Sequence, residues 1–197
     1  MRHPIILAST SPRRQELLRQ IGVAFEAIPS NASEEFDPKL SPHQIVRTLA
    51  ERKCAAIAAQ RPEAFVIAAD TIVVLDEEIF GKPDSPEEAV RMLVRLSNCT
   101  HQVITGLAFE WRNKNIHEVL DVTTDVTFGT LSKELIERYV STGEPLDKAG
   151  AYGIQGMGAV LVQSIRGSYS NIVGLPVFEV AAALRRHLGN NIFFNIR

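Results

Sequence analysis

The 197-residue sequence predicts an α/β fold: a mixed, twisted sheet with flanking helices. Three observations point there. Short apolar runs alternate with amphipathic stretches from one end to the other, and two long alternating segments flank Arg112-Asn113-Lys114-Asn115 in the manner of a hairpin. No repeat or low-complexity linker breaks the pattern, so residues 1–197 read as a single domain of two lobes.

Taken in order, Ile5-Ile6-Leu7-Ala8 reads as a short buried strand, and Ser11-Pro12 caps a helix reaching about Ile21. Phe25 to Ile28 is a second strand, and Ser30 to Leu40 is acidic and irregular. Ser41-Pro42 then opens a longer helix whose apolar stripe runs through Ile45, Val46, Leu49, Ala56 and Ile57. Phe65 to Leu75 is apolar on both faces around Asp70, the pattern of one buried strand or a strand pair. Ser85-Pro86 starts a charged amphipathic helix ending near Leu96. His101 to Trp111 and Val119 to Phe128 form the hairpin, which adds antiparallel pairing to the sheet. Leu131 to Val140 is a helix capped by Ser132, Gly143 to Gly158 is glycine-rich, Ala159 to Ile165 is a strand, and Pro176 to Leu188 is the last helix.

Composition narrows the function. A chain that is 45% hydrophobic and 22% charged is not disordered. Its 21 Lys and Arg nearly balance 23 Asp and Glu, so no broad attraction to nucleic acid or anionic lipid is expected. The two cysteines, Cys54 and Cys99, have neither metal spacing nor the look of a disulfide framework, which fits a reducing cytoplasm. The first residues are too sparsely apolar for a secretory signal, and Ala64 to Leu75 falls far short of the roughly 20 residues of a membrane span. The dinucleotide and P-loop glycine patterns are absent, as are G-x-S-x-G, H-E-x-x-H and C-x-x-C.

Several residues stand where they cost stability or gather charge. Ser9-Thr10-Ser11-Pro12-Arg13-Arg14 lies where a strand hands over to a helix, so backbone N–H groups, hydroxyls and two guanidinium groups converge on a phosphate-sized volume. An ordinary serine cap with two solvated arginines is the plainer alternative. Asp70 interrupts a run of apolar residues, where an ionised carboxylate must be paired or metal-bound unless Asp70-Thr71 turns the chain at the surface. Lys53 falls on the apolar stripe of its helix and either faces inward or snorkels to solvent. Lys82, in Gly81-Lys82-Pro83, is a loop cation, open to phosphate or to water alone. Glu34 and Glu35 can join Asp70 as oxygen ligands of Mg²⁺ or form a solvated acidic loop. Asp147 to Gly156 sets Gln155, whose amide can read a base edge, among close glycines. His101, His117 and His187 read as structural or solvated, and Tyr152, Tyr169 and Phe178 as core or loop packing.

Together with Ala69-Asp70-Thr71-Ile72-Val73 and Gly174-Leu175-Pro176, the blocks containing Ser9, Lys82 and Gln155 closely resemble the Maf family of nucleotide pyrophosphatases, in order and spacing, over almost the whole chain. The resemblance implies a two-lobed α/β fold with a central cleft, akin to inosine triphosphate pyrophosphatases. It implies hydrolysis of a nucleoside triphosphate to the monophosphate and pyrophosphate with a divalent metal, Mg²⁺ or Mn²⁺, in a homodimer. Asp70 matches the proton acceptor; Ser9, Arg13, Arg14, Lys53 and Lys82 match phosphate-side groups; Glu34 matches an acidic metal-site position beside Asp70. Ser33 stands where relatives commonly carry an acid. Arg13, Thr71 and Gln155 resemble the dTTP/UTP branch rather than the 7-methyl-GTP branch, which usually carries a bulky aromatic residue in place of Arg13. Two rivals remain: the same chemistry on another base, and a non-catalytic nucleotide-binding regulator of septum formation, which the family's naming suggests. Asp70 is base, metal ligand or both.

Overall fold

Serine caps and apolar runs set the elements of the computed structural model, which describes residues 3–194. In chain order these are β1 (Ile5–Leu7), α1 (Pro12–Gln20), β2 (Glu26–Ala27), α2 (Pro42–Ala58), β3 (Phe65–Leu75), β4 (Glu78–Phe80), α3 (Pro86–Leu96), β5 (Thr100–Trp111), β6 (Ile116–Phe128), α4 (Lys133–Ser141), β7 (Val162–Arg166), α5 (Tyr169–Val173) and α6 (Val177–Leu188). Ser11, Ser41, Ser85 and Ser132 each accept a first-turn backbone N–H. At Ser41 the side chain of Gln44 answers by accepting the Ser41 N–H at 2.9 Å, which completes a capping box.

Seven strands form a mixed sheet in the order β2-β1-β3-β5-β6-β7, with β4 paired to β3. β1 runs parallel to β2 and to β3, whereas β4 and β7 pair antiparallel with β3 and β6. The expected α/β class and mixed sheet are present. Three local readings change. β3 is one continuous strand through Asp70 and Thr71, so the chain does not turn there. It turns later, at Asp76 and Glu77, both with positive φ, to form the short hairpin to β4. Residues 157–161 wind into a 3₁₀ turn, so the strand expected from Ala159 begins at Val162. Tyr152 is buried as expected of a packing residue, but Tyr169 and Phe178 are exposed.

The chain divides into two compact units. The first takes its described residues from 1–70, 105–122 and 174–197, the second from 71–104 and 123–173. In the first, α2 covers one face of the sheet through Ala50, Cys54, Ile57 and Ala58, which pack with Ile6, Ala8, Val66, Ala68 and Ala108. The helix lies very close. A Cβ on Gly106 would stand 2.2 Å from the Val46 carbonyl oxygen, and the Cys54 thiol donates to the carbonyls of Val66 and Ala108 at 3.5 Å each. Burial pushes that thiol well above its ordinary pKa, so it stays neutral. In the second unit, α3 and α4 supply Ala89, Leu93, Leu96, Ile136, Tyr139 and Val140 to a core with Val73, Phe80, Val126 and Phe128. There His101 packs edge-on against Phe128 and Tyr152, its Nε2 2.9 Å from the Tyr152 hydroxyl. Its Nδ1 is buried with no hydrogen-bond partner among the described residues.

Two outcomes follow from this packing. Gly106→Ala must drive the α2 backbone off the sheet and should lower stability by about 1–3 kcal/mol in urea unfolding. Burial pushes the His101 imidazole down to about 4, so in the folded chain it stays neutral where the unfolded chain takes up a proton. The stability this conceals is fully present above about pH 6.5 and is lost as pH falls toward 4, to a total of about 3 kcal/mol. The stability of the wild type relative to His101→Phe should therefore fall as pH is lowered from 7 to 4.5.

Candidate active site

Strand alternation decides which way Asp70 faces. Val66 and Ala68 lie under α2, so two residues further along the same strand the Asp70 side chain points to that same face. On α2, Lys53 sits between the buried positions Ala50, Cys54 and Ile57 and cannot turn away from the sheet without leaving its stripe. The two meet: Lys53 Nζ donates to Asp70 Oδ1 at 2.6 Å and to Glu34 Oε1 at 2.7 Å. The Lys53 and Asp70 side chains are only 11% and 13% exposed, whereas Glu34 reaches in from the open loop at 72%. Lys53 thus faces inward, and its partners in the structure are carboxylates. Desolvating a buried ion costs several kcal/mol, which two carboxylates offset, and the large buried side chains of α2, worth about 1.5–3 kcal/mol each, hold the helix in place against the remainder.

The acidic loop is fixed from α2 as well. Arg52 Nη1 donates to the carbonyls of Ser33 and Glu35 at 2.8 and 2.7 Å, and Ser33 Oγ accepts the Glu35 N–H at 3.2 Å. Serine at position 33 therefore shapes the turn that presents Glu34. Arg52 was not among the residues the sequence singled out, since an exposed helical arginine carries no local signal.

Ser9 and the two arginines come from the junction of β1 and α1. Ser9 is buried and its Oγ accepts the Ser11 N–H at 3.2 Å. Arg14 Nε donates to the Gly174 carbonyl at 2.8 Å, where the positive φ of 111° at Gly174 turns the chain into Leu175-Pro176. Burial pushes the Arg14 guanidinium down from its ordinary pKa, the Asp70 and Glu34 carboxylates oppose that shift, and Arg13 adds to it. Arg13, Arg14, Glu34 and Asp70 thus share one electrostatic environment within the first unit. Lys53 joins the same environment through its bonds to Asp70 and Glu34.

The remaining sequence-predicted residues belong to the second unit. Thr71 follows Asp70 in β3 and is partly buried. Lys82 is exposed beside the buried Pro83, and the Gly81 carbonyl accepts the Gly150 N–H at 3.0 Å, which ties the lysine loop to the glycine-rich segment. Gly150 has a φ of 69° and lies on the Val73 side chain, where a Cβ would come within 2.9 Å. Gln155 is exposed further along that segment.

The donor set suits a divalent cation. Two carboxylate oxygens converge on one point, and Mg²⁺ commonly takes one or two carboxylates together with substrate phosphates and water. Among the described residues no group of three or more His, Cys, Asp or Glu is placed to hold a metal. A metal at this point needs oxygens from a ligand, and the Lys53 ammonium now stands where it would bind. The chemistry available is binding of a polyphosphate and acceptance of a proton by a carboxylate. Lys53→Met strips Asp70 of its closest cation and should cost about 2–4 kcal/mol in urea unfolding, and adding Asp70→Asn should recover at least half of the loss.

Comparison with known proteins identifies the family. A family profile described as Maf-like protein matches residues 4–187. The chain is 50% identical over 182 residues to a protein named dTTP/UTP pyrophosphatase from Desulforamulus reducens, covering 92% of this chain and 95% of that one. It is 48% identical to a protein of the same name from Bacillus velezensis, over 92% and 95% of the two chains. A third of that name, from Shouchella clausii, is 47% identical over 95% of this chain and 97% of its own. A strand-borne aspartate held by a helix lysine, beside paired arginines at a helix start, is thus set in a chain that belongs to the Maf family.

Proposed function

We propose that this protein hydrolyses dTTP and UTP to the nucleoside monophosphate and pyrophosphate. The observation that carries the reading is the largely covered Asp70, which shares the Lys53 ammonium with Glu34 next to Arg14, in a chain about half identical, over nearly its full length, to proteins named dTTP/UTP pyrophosphatase.

Arg13, Arg14 and Lys82 bind and balance the triphosphate, and Ser9 adds a hydroxyl at the positive end of α1. Glu34 and Asp70 would hold Mg²⁺ or Mn²⁺ together with phosphate oxygens; when bound, that ion neutralises phosphate charge and makes water easier to deprotonate. Asp70 takes the proton of a water whose oxygen attacks the α-phosphorus, the bond to the bridging oxygen breaks, and pyrophosphate leaves. Lys53 keeps the Asp70 carboxylate in place while the site is empty and turns to the phosphates when a ligand arrives. Gln155 presents its amide to the O4 and N3–H edge of uracil or thymine, with Thr71 and Arg13 limiting what else fits. Free Cys54 and Cys99 suit a reducing cytoplasm, and no helix among the described residues is long and apolar enough to cross a membrane. The assembly proposed is a homodimer, on family resemblance.

Anion-exchange separation of the products from dTTP, UTP, CTP and 7-methyl-GTP, with Mg²⁺ and with Mn²⁺, tests reaction and base choice together. Pyrophosphate with dTMP or UMP is expected; tight nucleotide binding without pyrophosphate would return the protein to a regulatory role. Asp70→Asn should keep the fold and lose about 100-fold or more in turnover.

A further inference from the structure

The glycine-rich segment that carries Gln155 is held by a single carboxylate. Glu144 Oε1 accepts the Gly158 N–H at 3.1 Å and the Tyr139 hydroxyl at 2.9 Å, and Glu144 Oε2 accepts the Met157 N–H at 2.9 Å. The Tyr139 oxygen in turn accepts the Gly153 N–H at 3.1 Å. Both ends of residues 153–158 are thereby fastened to one acid and one phenol, and Gln155 stands exposed between the fastenings. Lys148 steadies the acid's own turn, its Nζ donating to the Glu144 carbonyl at 2.5 Å and to Asp147 Oδ1 at 2.6 Å.

The glycines are explained by the same contacts. A Cβ at Gly156 would lie 2.4 Å from Glu144 Oε2, one at Gly158 would lie 2.6 Å from the Tyr139 hydroxyl, and one at Gly153 would lie 2.6 Å from Lys148 Cε. Three small residues thus admit the three side chains that close on the segment. A carboxylate is the side chain fitted to this place, because it accepts several donors and offers none. Partly covered among these donors, it is pushed up by desolvation, yet the N–H groups of Met157 and Gly158 and the Tyr139 hydroxyl outweigh that effect and lower its pKa below the ordinary value.

We propose that Glu144, with Tyr139, is a positioning residue for base selection: it holds residues 153–158 in the one conformation from which Gln155 meets the base. This rests on the reading of Gln155 given above. Glu144→Gln is the sharpest probe, since it keeps the shape but replaces one acceptor oxygen with an NH₂ group facing an N–H donor.

The test compares kcat/KM for dTTP against CTP in the wild type, Gln155→Ala, Glu144→Gln and the double variant, with amide hydrogen exchange on each protein. Gln155→Ala should lower the dTTP-to-CTP ratio about tenfold. Glu144→Gln should do the same through KM for dTTP, with kcat on CTP within about threefold of wild type, and the double variant should lose no more than either single one. Exchange at the amides of Gly153, Met157 and Gly158 should quicken in Glu144→Gln while α3 and α6 stay protected. Tyr139→Phe, a milder change, should move both readouts the same way by about threefold and serves if Glu144→Gln does not fold. A discrimination ratio or local exchange unchanged in both variants overturns the proposal, as does a uniform loss of protection and of kcat on every substrate. If Gln155→Ala alone leaves the ratio intact, the reading of Gln155 fails separately, and the exchange data still decide whether Glu144 holds the segment.

Discussion

A carboxylate between Ala69 and Thr71, in a strand otherwise made of Val, Ile, Ala, Phe and Leu, needs polar partners brought to it. Much of the first unit is arranged around that requirement. Small residues at Gly106 and Ala108, and a thiol at Cys54 that satisfies two backbone carbonyls, let α2 settle directly on the sheet. A bulkier interface would lift the helix and draw the Lys53 ammonium out of reach of Asp70. The closeness of helix and sheet and the survival of the charged pair are therefore one constraint.

The electrostatic balance at this place also bears on what it can take in. Lys53 holds two acids at once. On the function proposed above, an incoming polyphosphate would compete with those acids for the ammonium and a metal ion would compete for the carboxylates, so each would free the group that the other needs.

How far the site was legible follows from what each residue reveals locally. Asp70 stood out because it breaks an apolar run, and Lys53 because it lies on an apolar stripe, so both anomalies were visible as single residues. That they answer each other was not, since pairing depends on which strand face lies under α2. The serine-proline caps were legible because a cap is a local bond between neighbours. The β3–β4 hairpin was hidden because its turn is Asp76-Glu77, whereas positive φ at two adjacent positions is ordinarily announced by asparagine or glycine. The strand read from Ala159 failed for a related reason: Glu144, far back in the chain, captures the amides of Met157 and Gly158 as the chain winds into a 3₁₀ turn, and no residue within 159–161 records that. Glu144 and Arg52 act through backbone groups of distant loops, which leaves nothing in their own neighbourhoods to read.

The bond from Arg14 to the Gly174 carbonyl joins residues 160 positions apart. On a ribosome the first helix emerges long before this anchor exists, so the bond between them forms late. Only after the segment leading into α6 has left the exit tunnel can the Arg14 guanidinium reach the Gly174 carbonyl. A fragment truncated ahead of Gly174 would therefore carry Asp70 and Arg14 without the carbonyl that fixes the guanidinium.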